Sequence, residues 1–449
     1  MDPAGIPGGV DTIPNDTSCT DGKMQRNCPP PPPQAADVVA RVLDDDDLLI
    51  EIIVRLGLPT TLVRAILVCK RWFSIVSKKA FLRRFRSLHP PRLLGFYVST
   101  RMSTSLKQIR PHFVPMLPQP SEPEVAAVAH RAESYSLDAY EEDFTCIYEC
   151  QNDTIFVCGF QGGTCLFELH WPLCPNRGVL HTPMCPHPHD QLGDAGITAA
   201  HFLLKDEGDG KSLTYIWFSV DYLIEEKGKK YSLKYKAHIY ILQDGLWHWR
   251  SAATAMLHSP RSNGAKPLLS GNKIYMENCT NIVALDLLTS SFSTIPLPEG
   301  MDQYVSKDMI LSRANDSGFY LIHLEKLQLR IWLHGEDSGG SMRNWLLLDT
   351  ICLPEMLDAL GMSYQASDGE QLSDDEQLTL FDTNHMGDNL QFLFLKLGRC
   401  ALYMDIKRRE LRKVYEVTDD RTLERIHPFM MTWPPTFPVL KDDPARTVT

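Results

Sequence analysis

Two stretches of this chain share one plan, and that plan limits the folds available to most of it. "SGNKIYMENCTNIVALDLLTSSFSTIPLP" (270–298) reads as strand, turn, a strand ending in Asp286, turn, and a strand ending in Pro296. "DNLQFLFLKLGRCALYMDIKRRELRKVYEV" (388–417) repeats it, with Asp405 in the place of Asp286. "GFYLIHLEKLQLRIWLHGEDSGGSMRNWLLLDTICLP" (318–354) is a third, less regular copy. Antiparallel units repeated at intervals of several tens of residues bury their faces against one another, as the blades of a β-propeller do.

The same texture runs from Pro91 onward. Apolar runs predict strands at 93–98, 154–159, 163–169, 213–220, 235–242, 273–277, 281–286, 318–323, 329–333, 390–395 and 400–405. Turn signals separate them: Gly162-Gly163, Asp209-Gly210, Asp244-Gly245, Asn315-Asp316 and Gly387-Asp388. Strands counted in fours predict about six blades, with five or seven as alternatives. A pair of β-sandwiches fits the length less well. The expected large domain is therefore all-β and spans 91–440, with a short disordered tail at 441–449.

The N-terminal part differs. Residues 1–40 are rich in Pro, Gly, Asp and Thr and contain the run Pro29–Pro33. Such a segment buries too little apolar surface to offset its ordering entropy, so a disordered leader with an extended proline stretch is expected. Residues 41–90 are helical in pattern. Leu48, Leu49, Ile52, Ile53 and Leu56 recur at i, i+1, i+4, i+5 and i+8. The acidic run Asp44–Asp47 supplies N-cap oxygens and negative charge for a helix start. "GLPTT" breaks this helix, a second is predicted over 61–72, and a third over 74–88 ends at "HPP" (89–91). Three short helices cannot hide so many large apolar groups by themselves, so some must face a second body.

Composition narrows the function classes. The 449 residues carry a formal net charge of −11, which argues against a dedicated nucleic-acid binder. No apolar run approaches the roughly 20 residues that span a bilayer. The first residues lack the basic start and apolar stretch of a secretory signal, which predicts a cytosolic or nuclear protein with its twelve cysteines as thiols. No metal or cofactor is expected. The cluster Cys165, His170, Cys174, His181, Cys185, His187 and His189 has zinc-ligand residue types, but it lacks a C-x2-C pair and prolines interrupt it. Gly210-Lys211-Ser212 has Lys205 where a phosphate-binding loop needs glycine, so a hairpin with an Asp-Gly turn is expected there. "KRRELRK" (407–413) reads as an exposed face rather than an import signal. No hydrolase, metalloprotease or kinase signature set occurs.

The ordered combination "LDDDDLLIEIIVRLGLPTTLVRAILVCKRWFSIVSKKAFLRRFRSLHPPRLLGFYV" resembles an F-box domain of the kind abundant in plants, cereals especially. The matching elements are Leu43 with its acidic run, Leu48-Leu49, Ile52, Leu56, the Pro59 break, Leu62, the "VCKRW" of Val68–Trp72, and Phe81-Leu82. The remainder resembles the F-box-associated β-propeller regions that follow such domains. The resemblance implies a non-catalytic substrate receptor of an SCF-type cullin-RING ubiquitin ligase. It implies that Leu43, Leu48, Leu49, Ile52, Leu56, Leu62, Val68 and Trp72 form or support the contact with a Skp-type adaptor. The propeller would then recruit a protein target, whose contact residues carry no spacing rule. Lys70, Arg71, Lys78, Lys79, Arg83, Arg84 and Arg86 read as a solvated face. A carbohydrate-binding or enzymatic propeller carrying a helical module is the alternative, and a helix-turn-helix DNA binder is a weaker third.

Overall fold

The computed structural model describes residues 33–56, 59–89, 92–102, 109–116, 135, 137, 145–151, 154–161, 164–173, 178–183, 197–206, 213–227, 230–243, 245–257, 267–278, 281–301, 309–314, 318–335, 345–362, 378–381 and 390–431. The chain divides into two compact units, Met1–Ile53 and Val54–Thr449. In the first unit, α1 (Pro33–Asp44) packs on α2 (Asp46–Ile53). The acidic run is split: Asp44 ends α1, Asp46 and Asp47 fill the first turn of α2, and Asp45 between them caps it, its Oδ1 accepting the amides of Asp47 and Leu48 at 2.9 and 3.0 Å. α1 begins well inside the segment read as a disordered leader. The last proline of the run is its first residue, the one helical position where a missing N–H and a fixed φ cost nothing.

The second unit opens with α3 (Pro59–Ile66), α4 (Lys70–Val76) and α5 (Lys79–Leu88). The expectation of three helices is thus corrected to five short ones over 33–88, the helix predicted over 61–72 being two. Leu67 and Val68 close α3 through bonds to Val63 O and Ala65 O, and Cys69 is extended (φ −162°, ψ 164°) before α4 begins. α5 ends at His89 as predicted, ahead of the two prolines. Leu62, Ala65, Ile66, Ile75, Val76, Phe81 and Phe85 are buried, and Phe81 stacks on Phe85.

Apart from one short helix, the described remainder of the second unit is built of β-strands. Five four-stranded antiparallel sheets follow in chain order. Blade 1 is β3 (Thr145–Gln151), β4 (Thr154–Gln161), β5 (Thr164–His170) and β6 (Leu180–Thr182). Blade 2 is β7 (Ile197–Asp206), β8 (Leu213–Lys227), β9 (Lys230–Gln243) and β10 (Leu246–Leu257). Blade 3 is β11 (Leu268–Ser270), β12 (Lys273–Asn278), β13 (Asn281–Asp286) and β14 (Ser291–Pro296). Blade 4 is β15 (Met309–Arg313), β16 (Phe319–Glu325), β17 (Gln328–His334) and β18 (Leu346–Cys352). Blade 5 is β19 (Leu378–Leu380), β20 (Phe392–Leu397), β21 (Cys400–Asp405) and β22 (Glu410–Glu416). A sixth, three-stranded sheet joins β1 (Arg92–Met102) and β2 (Ile109–Pro115) to the last strand, β23 (Arg421–Met431).

Side-chain alternation explains why these sheets form a ring. Each strand sends successive residues to opposite faces, so each sheet offers an apolar layer to both neighbours. Phe156 and Leu169 of blade 1 meet Tyr240 and Leu242 of blade 2. Ala237 and Ile239 meet Leu269 and Ile274 of blade 3. Leu268 and Tyr275 meet Leu311 and Phe319 of blade 4. Ile310 and Ile322 meet Leu393 and Leu402 of blade 5, with Leu357 of α6 (Pro354–Ala359) in the same layer. Phe392 and Phe394 meet Phe96 and Ile426 of the closing sheet, whose other face sets Tyr97 and Phe429 on Ile147 and Val157 of blade 1. The layers return to their starting point, so the domain is a β-propeller of five full blades and a three-stranded closing sheet.

The repeated aspartates turn out to hold hairpins. Asp286 pairs with Ser291 and Asp405 with Glu410 across four-residue turns. Asp286 Oδ1 accepts the Leu288 and Thr289 amides at 2.8 and 3.1 Å, and Asp405 Oδ1 accepts the Arg408 amide at 2.9 Å. Ser290 and Arg409 then take left-handed φ values of 52° and 55°. The Thr289 amide, helped by the Leu288 amide and the Lys273 charge, holds the Asp286 carboxyl below its ordinary range, and slight burial opposes this. A depressed folded pKa stabilises fully above the unfolded value near 3.9, and the contribution disappears as pH falls through the lower folded value. Asp286→Ala is therefore expected to lower the melting temperature at neutral pH, a deficit that shrinks as pH falls from the unfolded value through the lower folded one. Melting curves of both proteins across that range read the difference, and a pH-independent gap would contradict the turn-cap role.

Candidate partner-docking surfaces

On α2, Leu49 and Ile53 are buried, whereas Leu48 and Ile52, one helical turn apart, are 46% and 44% exposed. The apolar stripe thus splits into a core side and a solvent side. Leu43, near the end of α1, and Leu56, just after α2, are half-buried. In the second unit Leu62 is buried, and Trp72, in the first turn of α4, is half-buried. The α3–α4 turn presents Leu67 and Val68 at 76% and 62% exposure, and Val63, one turn before Leu67, is also exposed. Of the eight residues assigned to adaptor contact or its support, Leu48, Ile52 and Val68 face water, Leu49 and Leu62 are internal, and the other three lie between. Val63 and Leu67 were not singled out from the sequence. Their i, i+4 spacing, one residue on from the buried Leu62–Ile66 pair, is the signal that marks them. Lys70, Lys78 and Arg84 are exposed and Arg71 is half-buried. The side chains of Lys79, Arg83 and Arg86 lie outside the described residues.

On the propeller, two tryptophans tie neighbouring blades by one device. Trp345, just before β18, donates its indole N–H to Pro296 O at the end of β14, at 2.7 Å. Trp247, near the start of β10, donates to Pro183 O just after β6, also at 2.7 Å. Trp345 further packs edge-on to Phe319 and against His334. Trp345→Phe keeps most of this packing and removes the donor. It is expected to cost about 0.5–1.5 kcal/mol, read as a small drop in the denaturant midpoint. A midpoint equal to wild type would mean that the bond contributes nothing.

These blades match the model of the family described as "F-box protein AT5G49610-like, beta-propeller" over residues 146–437, more than half of the chain. The chain belongs to this family. No curated protein matches it. Among solved structures, a protein from Lactobacillus plantarum is similar at 12% identity and TM-score 0.29, covering 63% of this chain and 73% of that one. Prolyl oligopeptidase B from Galerina marginata is similar at 11% identity and TM-score 0.27, covering 74% of this chain and 50% of its own. The WD40 domain of SCAP from fission yeast is similar at 9% identity and TM-score 0.23, covering 59% of this chain and 74% of its own. Likenesses this distant add nothing to the strand order and the family match.

Within this F-box-family propeller, the remaining chemistry-bearing motifs take structural places. His170 and Glu168 lie two residues apart on β5, and His181 lies across from Glu168 on β6. Glu168 Oε2 is 3.1 Å from His170 Nε2, and its Oε1 is 2.8 Å from His181 Nδ1. Burial, and then the neighbouring His181, push the His170 pKa down to about 4, so this ring is neutral at physiological pH. The carboxylate ties the short edge strand β6 to its blade. Among the described residues no group of three or more side chains is arranged to hold a metal ion. Cys174, Cys185, His187 and His189 lie outside the described residues, as do Gly210-Lys211-Ser212 and the acidic stretch 365–377. The strands flanking Gly210 do pair as a hairpin, Asp206 opposite Leu213. The tract 407–413 occupies the β21–β22 turn and β22. There Arg409 meets Asp349 of blade 4 at 2.9 Å, Lys413 meets Glu416 at 2.9 Å, and Arg412 lies over the Tyr403 ring. Trp171, just after β5, packs in the layer between blades 1 and 2.

Proposed function

We propose that this chain is the non-catalytic substrate receptor of an SCF-type cullin-RING ubiquitin ligase. Its N-terminal helices take a Skp-type adaptor, and its propeller recruits a protein target for ubiquitin transfer. The observation that carries the reading is the pairing of a family propeller with exposed leucine, isoleucine and valine side chains on the helices before it. An apolar side chain on a short helix gains roughly 1.5–3 kcal/mol when fully buried, and an adaptor supplies that burial. The exposed Lys70, Lys78 and Arg84 suit the rim of an interface with an acidic partner. The same reading places the protein in the cytoplasm, the nucleus or both, where cullin-RING scaffolds work. The test is co-purification: full-length protein should retain a Skp-type adaptor through size-exclusion chromatography, and separate elution at micromolar concentrations would refute the reading.

A further inference from the structure

We infer that Cys146 and Cys158 form a reversible oxidation site inside blade 1, taking peroxide-class two-electron oxidants. The two residues are direct partners in the β3–β4 ladder. Both belong to the face that packs against blade 2, beside Phe156, Phe167 and Tyr240. Directly opposed residues of an antiparallel pair have Cα atoms about 4.5–5.5 Å apart. That separation falls within the roughly 4.4–6.8 Å that a disulfide spans, so the bond needs no change of register. The other described cysteines lack this arrangement. Cys150 opposes Ile155 and donates to Pro428 O, Cys352 opposes Gln328, Cys400 opposes Leu397 and Glu416, and Cys69 sits in the α3–α4 turn.

Access divides the roles. Cys146 is half-buried and Cys158 is 3% exposed, so an oxidant arriving from solvent meets Cys146 first. The Cys146 sulfur attacks one peroxide oxygen and the O–O bond breaks, leaving Cys146–SOH and one water. The Cys158 sulfur then attacks the sulfenic sulfur, the S–O bond breaks, and the hydroxide leaves as a second water with the Cys158 proton. Two electrons pass from the sulfur pair to the peroxide. An added dithiol reverses the step by exchange. The product staples the innermost strand of blade 1, which touches the closing sheet, to its neighbour.

The experiment treats folded, full-length protein with a few equivalents of hydrogen peroxide, blocks the remaining thiols, and maps peptides without reduction. The expected product is a Cys146–Cys158 cross-link, two hydrogens lighter than the reduced pair and lost on adding dithiothreitol. Cys158→Ser should instead leave a sulfenic acid at Cys146 that dimedone traps, with circular dichroism confirming the fold. Two outcomes overturn the inference: the exposed Cys69 and Cys352 oxidise while Cys146 and Cys158 remain alkylatable on unfolding, or the cross-links scatter among other cysteines. The wild-type map decides between these results even if the serine variant fails to fold.

Discussion

Leu67→Glu combined with Val68→Glu is expected to abolish retention of a Skp-type adaptor and to leave the protein folded. Both side chains stand in water in the α3–α4 turn, so neither substitution removes a core contact. Burying two such groups in an interface is worth roughly 3–6 kcal/mol by area. Replacing them with carboxylates forfeits that gain and adds a desolvation cost, which predicts at least about a 100-fold loss in affinity. Leu48→Glu with Ile52→Glu tests the exposed face of α2 in the same way. The contrast is with Leu49 and Leu62, which are fully buried. Alanine at either is expected to cost about 2–5 kcal/mol of stability, so lost binding there would report unfolding as readily as a lost contact. Titration calorimetry against adaptor, with circular dichroism on each variant, separates the two effects. Wild-type affinity in the folded Leu67/Val68 double variant would remove this turn from the interface.

How far the sequence could be read follows from where each element keeps its signal. The middle strands β13, β16, β20 and β21 are largely apolar on both faces because they face two blades, and they stand out as near-continuous runs bounded by turns. The innermost strands β11 and β19 have three residues each, "LLS" and "LTL", too few for any period to register. Closure was invisible for a different reason. β1 and β23 pair residues more than 300 positions apart, such as Arg92 with Met431, and no local pattern records that. Among the helices, the stripe Leu48, Leu49, Ile52, Ile53 was legible as apolar but not as two-sided. Periodicity locates apolar residues without saying which half meets the core of the same chain. The break at Leu67–Cys69 contains neither Gly nor Pro. Val68 and Cys69 are only weak helix formers, and nothing stronger in the sequence announces the turn. Asp286 and Asp405 recurred plainly, but only the amides they accept identify them as turn caps.

Phe429→Ala is expected to be the most damaging single change to the propeller, because it strikes the sheet that joins its ends. Phe429 is fully buried, with its ring centroid 5.7 Å from Tyr97, 5.8 Å from Phe113 and 5.6 Å from Tyr135. It fills the layer between the closing sheet and blade 1, which also contains Ile147, Ile155 and Val157. Truncating a buried Phe costs about 3–5 kcal/mol, from lost transfer energy and the cavity left behind. For a domain of this size that corresponds to a fall in melting temperature on the order of 5–10 °C. The site has little room to collapse. β1 carries a register shift between Leu93 and Gly95, and a Cβ at Gly95 would lie 2.3 Å from the Phe113 ring, so the neighbouring backbone is already in close contact. Every other sheet is a hairpin meander whose strands are adjacent in sequence, whereas this one depends on the long-range β1–β23 pairing and on the layers it shares with blade 1 and blade 5. Hydrogen exchange should therefore show protection falling first along β1 and β23 in Phe429→Ala, with blades 3 and 4 retaining theirs. A uniform loss across all blades would show instead that the ring unfolds as one cooperative body and that the closing sheet is no weaker than the rest.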